Sequence, residues 1–424
     1  MDILLRKNRF LVGVILSILF CASIALPVKA DVTMWTQTYG GPYNDRAYAV
    51  VETSDGGYAI AGTTEHTLFG QDDFWLVKTD AFGAILWVQT YGGFSYDEAY
   101  ALVETSDGGY AIAGSTGSDL WVVKTDSYGN MEWNQTYGGE WPDFAFALVE
   151  TSDGGYAIAG YTESFAVEDP DVIPLPDKPA DFWLIKTDEF GNMEWNQTYG
   201  GKADERAYSL VVTPDDGYAL VGGSFFVKTD EFGNMEWNQT YGGNLNSLVV
   251  APDGGYAIAG STEAFGAGEE DFWLVKTDEF GNMEWNQTYG GTEDDIASSL
   301  VVASDGGYAI AGRTFSVYSD FWLVKTNSSG TMEWNMTYGE TDWEYCHSLV
   351  ATSDGGYAIA GSTSSFGAGY SDFWLLKTDE YGVVPEATWV VLPLLVIATL
   401  AILISKKKLL RKNSEEIRFL GGRK

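Results

Sequence analysis

The feature that most constrains this chain is a repeat. The run Gly-Gly-Tyr-Ala-Ile-Ala-Gly, or a near copy, is centred on Tyr58, Tyr110, Tyr156, Tyr218, Tyr256, Tyr308 and Tyr357. A Lys-Thr-Asp or Lys-Thr-Asn strand end follows at Lys78, Lys124, Lys186, Lys228, Lys276, Lys325 and Lys377. A returning strand carries Trp35, Trp87, Trp133, Trp195, Trp237, Trp285 and Trp334. One unit of roughly 40–60 residues is therefore copied seven times. The stretch Lys276 to Gly291 reads as a β-hairpin: Lys-Thr-Asp closes a strand, Glu-Phe-Gly-Asn turns where glycine takes a positive φ, and Met-Glu-Trp-Asn-Gln-Thr-Tyr runs back.

Four short strands fit in each unit, in the fifth at Asn246–Ala251, Tyr256–Ser261, Asp271–Thr277 and Met283–Tyr289, with Pro-Asp-Gly-Gly turning between the first two. Four strands at this period are the signature of a propeller blade. Trp35–Tyr39 precedes the first full unit, and the last unit stops after Lys377-Thr378-Asp379. The expected fold is all-β: a seven-bladed β-propeller of four-stranded blades over residues 31–382, closed by the N-terminal strand, plus one C-terminal transmembrane helix.

Alternation supports strands. In Asp-Phe-Trp-Leu-Val-Lys-Thr, Phe272, Leu274 and Lys276 face one way and Trp273, Val275 and Thr277 the other. The third-strand indole recurs as Trp75, Trp121, Trp183, Trp273, Trp322 and Trp374, with Phe225 in the fourth unit. Each indole buries about 150–250 Å², worth roughly 4–6 kcal/mol before entropy, so the tryptophans are expected to be core.

The two ends read differently. Residues 1–30 place Arg6, Lys7 and Arg9 before an apolar run and end in Val28-Lys29-Ala30, the pattern of a signal peptide. Residues 383–405 hold the apolar run Ala387–Ser405, at 19 residues nearly long enough to span a membrane. The basic tail 406–424 opens with Lys406, Lys407 and Lys408, which the positive-inside rule places in the cytoplasm. The expected location is the cell surface, single-pass anchored, with the ectodomain outside. Pro385-Glu386, an apolar helix and a basic tail also resemble the tripartite sorting signals of prokaryotic surface proteins.

Between the two ends lie only 12 Lys and Arg against 57 Asp and Glu. That balance repels nucleic acid and anionic lipid, and attracts cations or basic partners. Cys346 is the only cysteine outside the signal segment, which leaves no intramolecular disulfide there.

The order TYGG, acidic loop, Leu-Val, Ser-Asp-Gly-Gly-Tyr, Asp-Phe-Trp-Leu-Val-Lys-Thr-Asp resembles the secreted β-propeller repeats of bacterial and archaeal surface proteins across 31–382. That resemblance implies the fold and no defined activity. Asp278-Glu279-Phe280-Gly281-Asn282-Met283-Glu284-Trp285 resembles the turn and docking Trp of quinoprotein propellers. The architecture carries over and the quinone does not, because the lone Cys346 cannot supply the adjacent-cysteine disulfide. Thr53-Ser54-Asp55-Gly56-Gly57 is similar to the start of a sialidase Asp-box, with Ile60 where an aromatic residue is expected.

Loops joining strands one to two and three to four are nearly constant in length. Those on the other face vary, from Gly223-Ser224 to the acidic, proline-rich Tyr161–Asp181. Binding is assigned to the variable face. There an acidic residue recurs before the inner strand: Asp45, Asp97, Asp143, Glu205, Asp295 and Glu344. These are a candidate Ca²⁺ set, or each caps its own turn. No other cofactor is expected. Tyr43, Arg46, Phe94, Tyr96, Trp141, Arg206, Trp343 and Tyr345 have the composition of a glycan or protein ligand surface.

The histidines are His66 and His347 only, and no metal or nucleophile motif is present. Sequons at Asn134, Asn196, Asn238, Asn286, Asn327 and Asn335 make glycosylation an expectation. The reading is a membrane-anchored surface propeller for binding, adhesion or surface-layer assembly. The alternative is a two-carboxylate carbohydrate-active enzyme, to be told apart by loop carboxylates roughly 5–10 Å apart.

Overall fold

The computed structural model describes residues 34–65, 72–166, 179–201 and 203–384, and among these the regular elements are twenty-six β-strands. The chain divides into one compact unit, Met1–Val383, which holds all of these strands, and a second, Val384–Lys424, of which only Val384 is described.

The opening strands are β1 (Trp35–Tyr39), β2 (Asp45–Glu52), β3 (Tyr58–Glu65), β4 (Asp72–Thr79) and β5 (Ile85–Tyr91). β2 to β5 form an antiparallel sheet in chain order, with Ile60 opposite Val50 on one side and Val77 on the other. β1 pairs instead with Asp372–Thr378, Trp35 opposite Lys377 and Tyr39 opposite Phe373, as the fourth strand of the last sheet. Inner strands lie side by side around an axis, and β2 packs against both Asp97–Glu104 and Glu344–Ala351.

A β-bulge shapes the inner strand. The register slips between Ala47 and Ala49, leaving Tyr48 as the extra residue, and the same slip frees Tyr100, Phe146, Asn246, Ser298 and His347. A bulge bends its strand and re-aims one side chain, here toward the axis. The second and third strands, rich in Ala, Ile, Leu and Val, are buried on both faces. The outer strand buries its tyrosine and half-buries its tryptophan.

Successive repeats meet through aromatic side chains. The outer-strand Trp packs on a second-strand Tyr of the next repeat, as in Trp87 with Tyr110 (5.7 Å, 66°) and Trp35 with Tyr58 (5.6 Å, 74°). The outer-strand Tyr donates its hydroxyl to a turn-glycine carbonyl of the next repeat: Tyr39 to Gly83 at 2.8 Å, Tyr91 to Gly129 at 2.6 Å, Tyr289 to Gly330 at 2.5 Å. Gly83, at φ +78°, sits where a Cβ would stand 2.6 Å from the Trp35 ring, so the turn conformation and the close approach both require glycine. First and last sheets also join through Ser353 N–H donating to Glu52 at 2.7 Å and Val50 N–H donating to Ser348 Oγ at 3.2 Å.

The structure corrects two expectations from the sequence. The first concerns the seven separate four-stranded blades. Hydrogen bonding defines six sheets, five of four strands and one of six, and no ladder closes them into a continuous ring: β1 completes its own sheet, which meets the first through side chains and the single bridge Asn44–Ser371, with Asp45 N–H donating to the Ser371 carbonyl at 2.7 Å. The cause lies in the fourth and fifth repeats. The second-to-third loop shrinks to Gly223-Ser224, so Tyr218–Thr229 runs through as one strand. The acid-bearing corner is replaced by Gly243-Asn244-Leu245, so Met235–Val250 does the same. Gly223 then pairs with Leu245 and fuses the two units.

The second correction concerns the C-terminal transmembrane helix. No helix among the described residues is long and apolar enough to cross a membrane. Residues 1–30, the run Ala387–Ser405 and the tail 406–424 lie outside the described residues.

At the constant face a buried lysine organises each turn pair. Lys276 is 3% exposed, and its ammonium meets Asp253 at 2.8 Å and Glu284 at 2.9 Å while donating to the Thr277 carbonyl at 2.8 Å. All seven repeat lysines are ion-paired with the aspartate of their Asp-Gly turn. The Asp-box likeness of Thr53–Gly57 has this cause: Asp55 accepts from Thr53 Oγ1, Gly57 N–H and Lys78. Burial would raise the Asp55 carboxyl, but those three donors outweigh it and hold it at about 2; Asp107, Asp153 and Asp215 sit at about 2 likewise.

These folded-state values lie below the unfolded value of about 3.9, so their contribution is full above pH ~4 and is lost as pH falls toward 2. Denaturant melts between pH 5 and 2 are expected to show that loss, and Asp55→Asn to reduce its steepness. Tyr289→Phe removes one repeat-to-repeat hydrogen bond and leaves the Gly330 carbonyl unpaired. It is expected to cost about 1 kcal/mol in the same measurement, with the m-value unchanged.

Candidate functional site

The recurring acids do not form one ring facing a common point. Asp45, Asp97, Asp143, Asp295 and Glu344 are all buried. Gly41, Gly93, Gly139, Gly201 and Gly291 donate backbone N–H groups to Asp45 (2.8 Å), Asp97 (3.1 Å), Asp143 (2.9 Å), Glu205 (3.3 Å) and Asp295 (2.9 Å). Glu344 accepts from Thr363 Oγ1 at 2.9 Å and from Ser365 N–H at 3.2 Å. Each therefore caps its own corner.

Each also faces a second acid that sequence reasoning missed, the aspartate opening the third strand of the preceding repeat. A methyl group placed on Gly339 would collide with Asp320 Oδ1 and stand 2.8 Å from Glu344 Oε2; on Gly290 it would collide with Asp271 Oδ1 and stand 2.7 Å from Asp295 Oδ2. The signal was in the sequence, since Asp-Phe-Trp recurs at Asp73, Asp181, Asp271, Asp320 and Asp372. These carboxyl pairs are as close as a glycosidase would need, but Asp97, Asp143, Asp271, Asp295 and Glu344 are each no more than 3% exposed. Among the described residues no group of three or more His, Cys, Asp or Glu side chains is placed to hold a metal ion.

Cations are scarce on the variable face. Apart from the seven paired lysines, the described cations are Arg46, Arg206 and Arg313. All three sit at one level of the fold: Arg46 and Arg206 each follow the capping acid of their inner strand, and Arg313 pairs across from Ile296, which holds that position in its repeat.

Arg206 stacks over Tyr161 at 4.4 Å, with Asp204 at 3.2 Å, and Tyr161 lies parallel to Phe144 (5.3 Å, 6°). Arg313 lies 5.4 Å from the Phe315 ring and 5.5 Å from the Tyr345 ring. Trp343 stacks on Tyr345 (6.2 Å, 9°) and meets Phe315 and Tyr318 edge-on. Arg313 has no ion-pair partner among the described residues, and its Nε is buried without a hydrogen-bond acceptor.

Of the ligand-surface residues expected from sequence, the structure thus brings Trp343 and Tyr345 together and adds Arg313, Phe315 and Tyr318. No ring contact joins Tyr43 or Tyr96 to them among the described residues, and Tyr96 and Phe94 are exposed on their own loop. Trp141 is half-buried beside Ser164, whose hydroxyl donates to its carbonyl at 2.9 Å. Within the Tyr161–Asp181 loop, residues 167–178 lie outside the described set, as does His66.

Below the arginines the bulged residues His347, Tyr48, Tyr100 and Phe146, with Tyr208 just before its inner strand, make an aromatic arc: His347 to Tyr48 at 4.9 Å, Tyr48 to Tyr100 at 4.9 Å, Tyr100 to Phe146 at 5.1 Å, Phe146 to Tyr208 at 5.2 Å. Asn246 and Ser298 occupy the bulge on the remaining strands. Burial, then the charges of Arg313 and Arg46, lower the His347 pKa to about 4, which keeps the imidazole neutral at ordinary pH. The opposite, constant face exposes Phe82, Tyr128, Phe190, Phe232, Phe280 and Tyr381 at its turns.

The sequon asparagines lie across their strands. Asn134, Asn196, Asn286 and Asn335 accept the indole N–H of Trp121, Trp183, Trp273 and Trp322 at 3.1–3.2 Å. Asn238 lies where Phe225 replaces the indole, and Asn327 caps its turn by accepting from Ser329 and Thr331 N–H.

No family model matches the chain, and no curated protein does. Solved structures match in fold. The WD40 domain of Pan2 from Neurospora crassa superposes with a TM-score of 0.53 at 10% identity, covering 84% of this chain and 99% of that one. Sqt1 from Chaetomium thermophilum gives 0.48 at 13% identity, over 77% of this chain and 82% of that one. A Bacteroides caccae protein of unknown function gives 0.39 at 15% identity, over 57% and 81%.

The Pan2 likeness shows the fold alone. It corrects the resemblance to secreted bacterial and archaeal surface proteins, since the propeller found similar is a eukaryotic WD40 domain. Membrane anchoring, a membrane partner, and a cell-surface adhesion or surface-layer role are corrected with it. They rested on that resemblance and on a signal peptide and helix outside the described residues, and no described helix is long and apolar enough to span a membrane.

Proposed function

We propose that this propeller is a protein-interaction scaffold whose variable-loop face binds a peptide segment bearing a carboxylate. The observation that carries the reading is Arg313, which lies among Phe315, Tyr345 and Trp343 without an ion-pair partner among the described residues. Arginine, tryptophan and tyrosine are the residues that dominate interface energetics, and a guanidinium held on aromatic rings is preorganised for bidentate carboxylate recognition. In a chain of net charge −36 this is a local reversal of sign. A polyanion is repelled by the surrounding acids, whereas one carboxylate on an otherwise neutral or basic segment fits both fields.

Peptide display on the full chain tests this. Enriched peptides are expected to share an Asp, a Glu or a free carboxyl terminus. Binding is expected to weaken about thirtyfold or more in Arg313→Glu and in Trp343→Ala, the loss of a hot spot of about 2 kcal/mol. Peptides enriched without a common carboxylate, or lost in Phe280→Ser on the constant face and not in Arg313→Glu, would overturn the assignment.

A further inference from the structure

We infer that the carboxyl pairs at the junctions between successive repeats bind divalent cations, calcium by their chemistry, so that ions staple one repeat to the next. These junctions share no residue with the Arg313 cluster, and only Glu344, between Trp343 and Tyr345, adjoins it in sequence.

The pair Asp320 and Glu344 shows the geometry most fully. Asp320 opens a third strand, Glu344 opens the next inner strand, and Asp320 Oδ1 and Glu344 Oε2 approach one point beside Gly339 from opposite sides. Neither oxygen has a hydrogen-bond partner outside the pair, and Glu344 is 0% exposed. Asp271 and Asp295, 1% and 3% exposed, also meet beside Gly290, where the unpartnered Asp271 Oδ1 faces Asp295 Oδ2.

Backbone donors fix one oxygen of each, Ala267 N–H to Asp271 Oδ2 at 2.8 Å and Gly291 N–H to Asp295 Oδ2 at 2.9 Å. Asp271 is thus held from behind with its free Oδ1 at the junction, Glu344 likewise with Oε1 bound and Oε2 at the junction, whereas Asp295 turns its Gly291-bound Oδ2 toward Asp271. The corner residue must be glycine, because any side chain there would fill the space between the acids.

No ion pair to Asp320, Glu344, Asp271 or Asp295 exists among the described residues. Lys325 and Lys276 lie at the far ends of the same third strands and are engaged by the turn acids of the constant face. Two buried carboxylates facing each other carry a large cost unless a cation or a proton lies between them. Burial and the facing Glu344 charge raise the Asp320 carboxyl to about 6, and burial with the Asp271 charge raises Asp295, as expected of pairs lacking a counter-ion.

Calcium accepts six to eight oxygens, including carbonyls and water, so two carboxylates per junction supply its charge while backbone and solvent complete the shell. The pattern recurs at Asp119 with Asp143, and it is missing where Gly243-Asn244-Leu245 fuses the fourth and fifth repeats by backbone pairing. The boundary fused by strand pairing is the one without acids to bridge.

The test uses the full chain stripped with chelator and titrated with calcium chloride alone in about 0.1 M potassium chloride, where exposed charges are screened beyond about 10 Å. Calorimetric titration is expected to show several saturable sites per chain, and millimolar calcium to raise the melting temperature by several degrees. Asp320→Asn combined with Glu344→Gln is expected to remove one site while far-ultraviolet circular dichroism is unchanged. Glu189→Gln, an exposed acid on the constant face, is expected to remove none. Absence of saturable binding, or a stoichiometry unchanged in the double variant, would overturn the inference. So would a double variant that is more stable than the parent without calcium while the parent binds no calcium, the result expected if each pair shares a proton instead.

Discussion

A four-stranded sheet of this composition has two apolar faces and cannot hide either one alone, so the contact between neighbouring repeats is the constraint on which the rest depends. The outer strand of each repeat supplies that contact twice, through a Trp ring laid on a Tyr of the next repeat and through a Tyr hydroxyl bound to a turn-glycine carbonyl. Both groups reach across one boundary only. Stability is then close to a sum of nearest-neighbour terms, as in other repeat architectures. The first strand matters out of proportion to its five residues because it carries this contact from the last sheet to the first.

The same economy governs polar groups. At the constant face each buried lysine meets a turn aspartate, and in most repeats an outer-strand glutamate as well, so burial and charge are reconciled within one repeat. At the variable face the acids have backbone donors on one side and each other on the other. The two ends of one third strand therefore solve opposite problems, an excess of anionic partners for Lys276 and a lack of cationic ones for Asp271.

Much of the fold was legible because it is copied. Strand type, turn chemistry and the placement of Trp35–Tyr39 in the last sheet follow from residues that recur with fixed spacing. The number of sheets did not follow, because Gly223-Ser224 and Gly243-Asn244-Leu245 change hydrogen bonding by omission, and a missing loop leaves no residue to read. The functional face was legible only in part. Trp343 and Tyr345 alternate on one strand edge and could be found, whereas Arg313, Phe315 and Tyr318 come from a neighbouring sheet and meet them only through the fold. The partner of each capping acid was visible as a repeated Asp, but its distance of about 24 residues from the acid hid the pairing, which exists only across a boundary between repeats.

The six-stranded sheet has a mechanical consequence. Elsewhere the boundary between sheets is made of packed side chains and single hydrogen bonds, but from Ser209 to Tyr289 the backbone ladder runs through without a break. This sector is the longest continuous ladder among the described residues. A partner that wedges two repeats apart would have to break strand pairing here, whereas at the other boundaries it would have to part only rings and single hydrogen bonds.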